Sequence, residues 1–303
     1  MSSSSAETVG PGVLRTPEHR FAALPDWPYA PRYLDLDGLR LHLIDEGPRD
    51  APATVLCLHG QPTWSYLYRR MIPVFLQAGL RVVAPDFFGF GRSDKPVDDA
   101  WYTFDQHRDT ALRVIESLDL QNILLVVQDW GGLIGLTLPM AMPQRFTRLL
   151  VMNTGLGTGT VTEGFRQWRA YANTQPDLAV GKLIRRGTPH LTDAEVAAYD
   201  APFPDARHKA GVRRFPNLVP DHDDAPGAAI SREALDFWKH RWAGDSFMAI
   251  GMQDPVLGPP AMRGLHAVIR GCPPPMEVAD AGHFVQEWGA PVAAAALQHF
   301  ELA

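Results

Sequence analysis

One aspartate sits where a nucleophile would. Ile123 to Val127 is a run of five apolar residues, and Gln128-Asp129-Trp130-Gly131-Gly132 follows directly. A run so short and rich in β-branched residues reads as a strand buried on both faces of a parallel sheet. Leu133, Ile134, Leu136 and Leu138 then suit a buried helix, which the two glycines allow to pack close to the sheet. A strand turning at once into a helix makes a strained elbow, with Asp129 thrust out at the carboxyl end of the sheet, where ligands bind. The pattern is the G-x-S-x-G nucleophile elbow with aspartate for serine and Val127 at the first glycine. A carboxylate is a poor nucleophile for ester or amide hydrolysis, because the acyl product would be an anhydride. At a saturated carbon it forms an alkyl ester, which water can hydrolyse. Aspartate is also a common helix N-cap, so the elbow alone leaves both roles open.

Two later segments end in partners for such a carboxylate. The strand pattern Ser246–Gly251 is followed by Asp254-Pro255, and Pro275–Ala279 by Asp280-Ala281-Gly282-His283. Alone, His283 is one of 11 histidines and Asp254 is a turn residue before proline. Together with Asp129 they give the order nucleophile, acid, base of α/β hydrolases, each just past a strand. Asn153, after the strand that follows the elbow, holds another position for an acid, but an amide cannot be anionic.

Elements that would position these groups are legible around them. Leu39, Leu41 and Leu43 alternate with Arg40 and His42, while Thr54–Leu58, Arg81–Pro85 and Arg148–Asn153 read as further strands. Leu67, Met71, Val74 and Phe75, and then His107, Ala111, Val114, Ile115 and Leu118, fall at helical spacing. This alternation predicts an α/β fold with a mostly parallel sheet flanked by helices. Residues 154–230 hold Gly- and Pro-punctuated helical stretches with no strand pattern. The alternation then resumes and ends in a helix near Pro291–Phe300. The expected layout is a disordered tail at 1–14, a core of 15–153 and 231–303, and a helical cap at 154–230.

Composition narrows the class. The 303 residues are 46% hydrophobic and 20% charged with net charge −6, which fits a globular protein without the basic footprint of a nucleic-acid binder. No apolar run is long enough to cross a bilayer, and the Ser-rich start lacks the apolar core of a signal peptide, so a cytoplasmic location is expected. Cys57 and Cys272 suggest no disulfide framework. The loop Asp86–Asp94 has Gly89 and Gly91 but none of the phosphate-binding spacings.

Four strings resemble one family. His59-Gly-Gln-Pro-Thr-Trp-Ser-Tyr-Leu-Tyr-Arg69, Ala84-Pro-Asp-Phe-Phe-Gly-Phe-Gly-Arg-Ser-Asp-Lys-Pro96, Val126-Val-Gln-Asp-Trp-Gly-Gly132 and Asp280-Ala-Gly-His-Phe-Val-Gln-Glu287 are similar to haloalkane dehalogenases of type 1. The similarity runs from about Arg15 to Phe300 and includes Tyr199-Asp-Ala-Pro-Phe-Pro-Asp205 in the insertion. It implies the α/β-hydrolase fold and hydrolysis of carbon–halogen bonds without cofactor or metal. The implied partners are a small apolar halogenated substrate, water and halide, with a monomer expected. Asp129 would displace halide in line, and His283, oriented by Asp254, would then activate water against the resulting ester. An indole N–H on an apolar body suits a desolvated halide, and Trp130 adjoins the nucleophile. The resemblance implies the backbone N–H groups of Gln61 and Trp130 as the oxyanion hole. The insertion stretch Arg186-Gly187-Thr188-Pro189 lacks a tryptophan that one member type carries there. The second halide donor is therefore expected from Trp168 or the Gln61 amide, while Trp64, Trp101, Trp238, Trp242 and Trp288 are expected to pack.

Two other readings compete. An epoxide hydrolase would use the same nucleophile with Tyr171 and Tyr199 protonating the leaving alkoxide, although that family usually has histidine at the Gln128 position. A non-catalytic hydrolase-fold binding protein would be expected to have lost one of Asp129, Asp254 and His283.

Overall fold

The computed structural model describes residues 7–303. Its main sheet has eight strands in the spatial order Met276–Val278, Asp245–Gly251, Phe146–Met152, Ile123–Val127, Thr54–Leu58, Arg81–Pro85, Leu39–Glu46, Arg32–Leu36. The first six are parallel, and the last two form a hairpin pairing antiparallel with Arg81–Pro85. Every residue of Thr54–Leu58, Arg81–Pro85 and Ile123–Val127 is buried, as strands covered on both faces require. The polar starts, Thr54 and Arg81, are buried too, with Arg81 paired with Asp45 (2.8 Å). The elbow strand is central. Its neighbours, ending at Leu58 and Met152, therefore deliver their following loops to either side of Asp129.

Several elements differ from the expected layout. Arg32–Leu36 is an additional strand, turned into the next by Asp37 and Gly38, both at positive φ (58° and 81°). The helix expected near Leu67–Phe75 is split into a 3-10 turn, Ser65–Tyr68, and a short helix, Ile72–Gln77. The elbow helix stops at Gly135, well short of Leu138. The expected tail is shortened, because Glu7–Gly10 pairs with Val13–Arg15, which pairs in turn with Lys95–Pro96. The remainder of that tail, residues 1–6, lies outside the described residues. Between Met152 and Asp245 the described residues form helices and loops, and the boundary expected at 230/231 falls inside the helix Ala228–His240.

This helical segment is pinned to the sheet domain by buried polar contacts. Gln61 Nε2 donates to Val212 O (2.9 Å), Trp64 Nε1 to Ala198 O (3.2 Å) and Thr16 Oγ1 to Pro202 O (2.7 Å). The strongest seam is ionic. The fully buried Arg69 donates to Glu195 and to both oxygens of Glu287, each at 2.7 Å, and the Tyr199 hydroxyl bonds to Glu287. Removing one member of a buried pair leaves an uncompensated charge and costs about 3–5 kcal/mol. Glu287→Ala is therefore expected to lower stability by that amount in urea denaturation. A loss below ~1 kcal/mol would show that the buried Arg69 cluster does not stabilise the fold as a paired charge should.

Candidate active site

Asp129 sits between strand and helix at φ 51°, ψ −125°, a conformation that costs a non-glycine residue about 1–3 kcal/mol. Its neighbours hold it there. Asp129 N–H donates to Asn153 O (3.0 Å), and Thr154 Oγ1 donates to Asp129 O (2.7 Å). Two glycines are needed for close approach. A Cβ on Gly131 would lie 1.9 Å from Leu58 O, and one on Gly60 would lie 2.3 Å from Asp129 Oδ1.

The two carboxylate oxygens of Asp129 have different surroundings. Oδ1 accepts from Gln61 N–H at 2.7 Å, and Oδ2 faces His283 Nε2 at 3.4 Å. Trp130 is the first residue of the elbow helix, so its backbone N–H is among the donors that have no intrahelical acceptor. The loop carrying Gln61 is fixed by the buried His59, whose Nδ1–H donates to Gly60 O (2.8 Å) and whose Nε2 accepts from Phe87 N–H (2.9 Å). Burial pushes the His59 pKa down, keeping the ring in the neutral form that this bonding needs.

His283 Nδ1 bonds to Asp254 Oδ2 at 2.8 Å, so the structure brings Asp129, His283 and Asp254 together in one line. Asn153 completes the arrangement. Its Nδ2 donates to Asp254 Oδ2 (2.9 Å) while its Oδ1 accepts from Gly251 N–H (2.8 Å), and Val256 N–H donates to Asp254 Oδ1 (2.8 Å). Burial alone would raise the Asp254 pKa, but the His283 charge and these hydrogen bonds hold it at about 2. Burial alone would lower the His283 pKa, but the charge of Asp254 and the contact with Asp129 raise it to about 10. This charge pairing stabilises the fold fully below His283's ordinary pKa of 6.5, and the contribution is lost as pH rises through about 10.

Gln128 adds an opposing influence that the sequence reading did not assign. Its Nε2 donates to His283 O (3.0 Å), which fixes the amide orientation and sets the same nitrogen 2.9 Å from His283 Nε2. An amide N–H facing Nε2 favours the neutral ring, whereas the two carboxylates favour the charged one.

Two cavities, of about 350 and 360 Å³, meet at Asp129. Trp130 lines the first, His283 lines the second, and Gln61, Phe165 and Trp168 line both. Trp168 comes from the helix Glu163–Asn173 and Trp130 from the elbow. Among the described residues, neither indole N–H has a hydrogen-bond acceptor. Trp64, Trp238 and Trp242 donate theirs to Ala198 O, Leu136 O and Ser246 Oγ. The Gln61 amide is already engaged with Val212 O. Tyr171 and Tyr199 line neither cavity: Tyr199 is buried against Glu287, and Tyr171 is exposed on the outside of its helix. Among the described residues no cluster of three or more His, Cys, Asp or Glu could hold a metal, and no helix is long and apolar enough to cross a membrane.

The sequence pattern of the α/β-hydrolase fold matches residues 53–290. A haloalkane dehalogenase of Psychrobacter cryohalolentis is 45% identical over 287 residues, covering 91% of this chain and 93% of the relative. One from Mycolicibacterium paratuberculosis is 42% identical with the same coverage. The chain belongs to the haloalkane dehalogenases. A solved dehalogenase from Paraglaciecola agarilytica superposes with TM-score 0.94 at 52% identity, covering 96% of this chain and 99% of that one. That dehalogenase is tetrameric, whereas the sequence reading expected a monomer here. A dehalogenase from Agrobacterium tumefaciens, at 22% identity and TM-score 0.74, shares the fold.

Proposed function

We propose that this chain hydrolyses haloalkanes to alcohol, halide and a proton through a covalent alkyl ester on Asp129. The observation that carries the proposal is the division of labour within the Asp129 carboxylate. Oδ1, held by Gln61 N–H, is already where the ester carbonyl oxygen will need donors, so Oδ2 is the attacking atom. Oδ2 displaces halide in line. The departing anion develops in an apolar cavity, where an unpaired charge is costly. The Trp130 and Trp168 indoles, both lining that cavity with N–H groups not engaged elsewhere among the described residues, are its donors.

Ester formation cancels the charge on Asp129 and removes one of the two causes that raise the His283 pKa. His283 then loses its Nε2 proton to solvent while its Nδ1–H stays bonded to Asp254, and its Nε2 becomes a base for water. Water attacks Cγ of the ester while Oδ1 carries the developing negative charge against the Gln61 and Trp130 N–H groups. Collapse breaks the Cγ–Oδ2 bond while His283 Nε2–H protonates the leaving oxygen, so an alcohol whose oxygen came from Oδ2 departs. Loss of the acid proton to solvent restores the carboxylate with one oxygen from water. The helices between Glu163 and Asn217 act as the cap, supplying Phe165 and Trp168 as wall and lid.

An epoxide hydrolase would need a hydroxyl above Asp129, and the placement of Tyr171 and Tyr199 counts against that reading. A binding protein without activity fits poorly with the assembled Asp129, His283 and Asp254. Halide release from 1-bromobutane with no diol from styrene oxide is the expected outcome; diol alone supports the epoxide hydrolase, and neither product supports the binding protein.

The second halide donor can be tested separately. Losing one well-aimed donor costs about 3 kcal/mol, or roughly a hundredfold in rate. Trp168→Phe keeps the ring but drops the N–H, and is expected to slow carbon–halogen cleavage by that factor and weaken bromide quenching of tryptophan fluorescence. A near-wild-type Trp168→Phe with a crippled Gln61→Ala would move the role to Gln61.

A further inference from the structure

Gly187 closes the helix Val180–Gly187, and its glycine is not required by the backbone. It has no positive φ, and a Cβ built there would touch only Phe284 Cδ2, at 3.9 Å. Left-handed geometry and close approach are the usual reasons for a glycine, and neither applies. What the missing side chain leaves is room, in the cavity of about 360 Å³ on the His283 side of Asp129. Its walls are mostly apolar and include Leu183, Val256 and Phe284 as well as Trp168, with Arg186 adjoining Gly187.

The in-line reaction makes use of both cavities. Halide must lie toward Trp130 and Trp168, opposite Oδ2, so the remaining substituents of the reacting carbon radiate sideways. The Trp130-side cavity takes the halide, and the His283-side lobe lies open on the other flank of Asp129. A water molecule needs only a small part of that lobe. We propose that Gly187 determines specificity by opening this lobe to the distal carbons of the substrate, so that the enzyme takes bromoalkanes of about six carbons as readily as short ones. The inference rests on the dehalogenase reading above.

Each methylene moved from water into an apolar wall is worth about fourfold in binding. Filling the lobe with Gly187→Leu and then Gly187→Phe, which has no N–H to offer a halide, should lower kcat/KM for 1-bromohexane stepwise, by roughly tenfold and then fiftyfold or more. Gly187→Ala should be near wild type. The loss on 1,2-dibromoethane, too short to fill the lobe, should be at least about fivefold smaller than on 1-bromohexane in Gly187→Leu and Gly187→Phe. An unchanged melting temperature reports that the variants are folded. Equal losses on both substrates, or no loss on 1-bromohexane in Gly187→Phe, would overturn the assignment of the lobe to the substrate chain. A wild-type enzyme that releases bromide from neither substrate would instead overturn the functional reading, and the inference with it.

Discussion

Asp129→Ala is expected to abolish halide release, by on the order of 10⁶-fold, the scale seen when a covalent nucleophile is removed from a cooperating set. No other carboxylate can substitute. Asp254 is buried behind His283, with both oxygens occupied by His283, Asn153 and Val256. The variant should remain folded, because the elbow is held by backbone contacts to Asn153 and Thr154 that alanine keeps. A second comparison isolates the strain. Asp129→Gly loses the same carboxylate but relieves the positive φ, so it should be more stable than Asp129→Ala by about 1 kcal/mol while equally inactive. Halide release in a folded Asp129→Ala protein would rule out the covalent route, and equal stability of the two variants would show that the elbow stores no strain.

His283→Phe is expected to separate the two halves of the reaction. Displacement of halide asks nothing of the imidazole, so the variant should release about one halide per chain in a rapid phase and then stop. Steady-state turnover should fall by a factor on the order of 10⁴ or more. The pH behaviour of the wild type follows from the same division. In the free enzyme both carboxylates hold the His283 pKa near 10, so the halide-release phase should be flat across neutral pH. In the ester Asp129 is uncharged, the pKa drops, and ester hydrolysis should quicken as pH rises until the ring is fully neutral. Stopped-flow halide release and steady-state rates across pH 6–9 distinguish the two phases. A halide phase that loses as much as turnover in His283→Phe would mean that the histidine also acts in the first step.

The site was largely legible because the strands that carry it are buried on both faces. Thr54–Leu58, Arg81–Pro85 and Ile123–Val127 had to be largely apolar, with only Thr54 and the Asp45-paired Arg81 polar at their starts, and their ends agree with the expected strands residue for residue. Parallel order then fixed which side the following loops occupy, so Asp129, Asp254 and His283 fell together from chain order alone. The edge hairpin was harder. Arg32–Leu36 is half-exposed and its alternation weak, although Asp37-Gly38 carried the turn signal that marks it. The start of the chain hid its strand for a related reason, since Glu7–Gly10 gains order only by pairing with Val13–Arg15, which itself pairs with residues eighty positions away.

Supporting side chains were less legible than the reacting ones. Asn153 was weighed as an acid and set aside, yet its amide orients Asp254. Gln128 contacts His283 across 155 positions of sequence, a pairing that no local pattern encodes. The sequence favours Trp168 over Gln61, because Trp168 comes from the insertion and can cover the pocket. A tertiary contact that the sequence does not show adds to that preference, the Gln61 amide already donating to Val212 O. Sequence types nominate donors, and packing decides which of them are free.

The most direct test is the mass of His283→Phe after incubation with 1-bromobutane, followed by proteolysis and peptide sequencing by mass spectrometry. The account predicts one butyl group per chain, located on Asp129 in the peptide that contains Gln128-Asp129-Trp130. An unmodified chain after a full equivalent of bromide has been released, or a butyl group on any other residue, would contradict it.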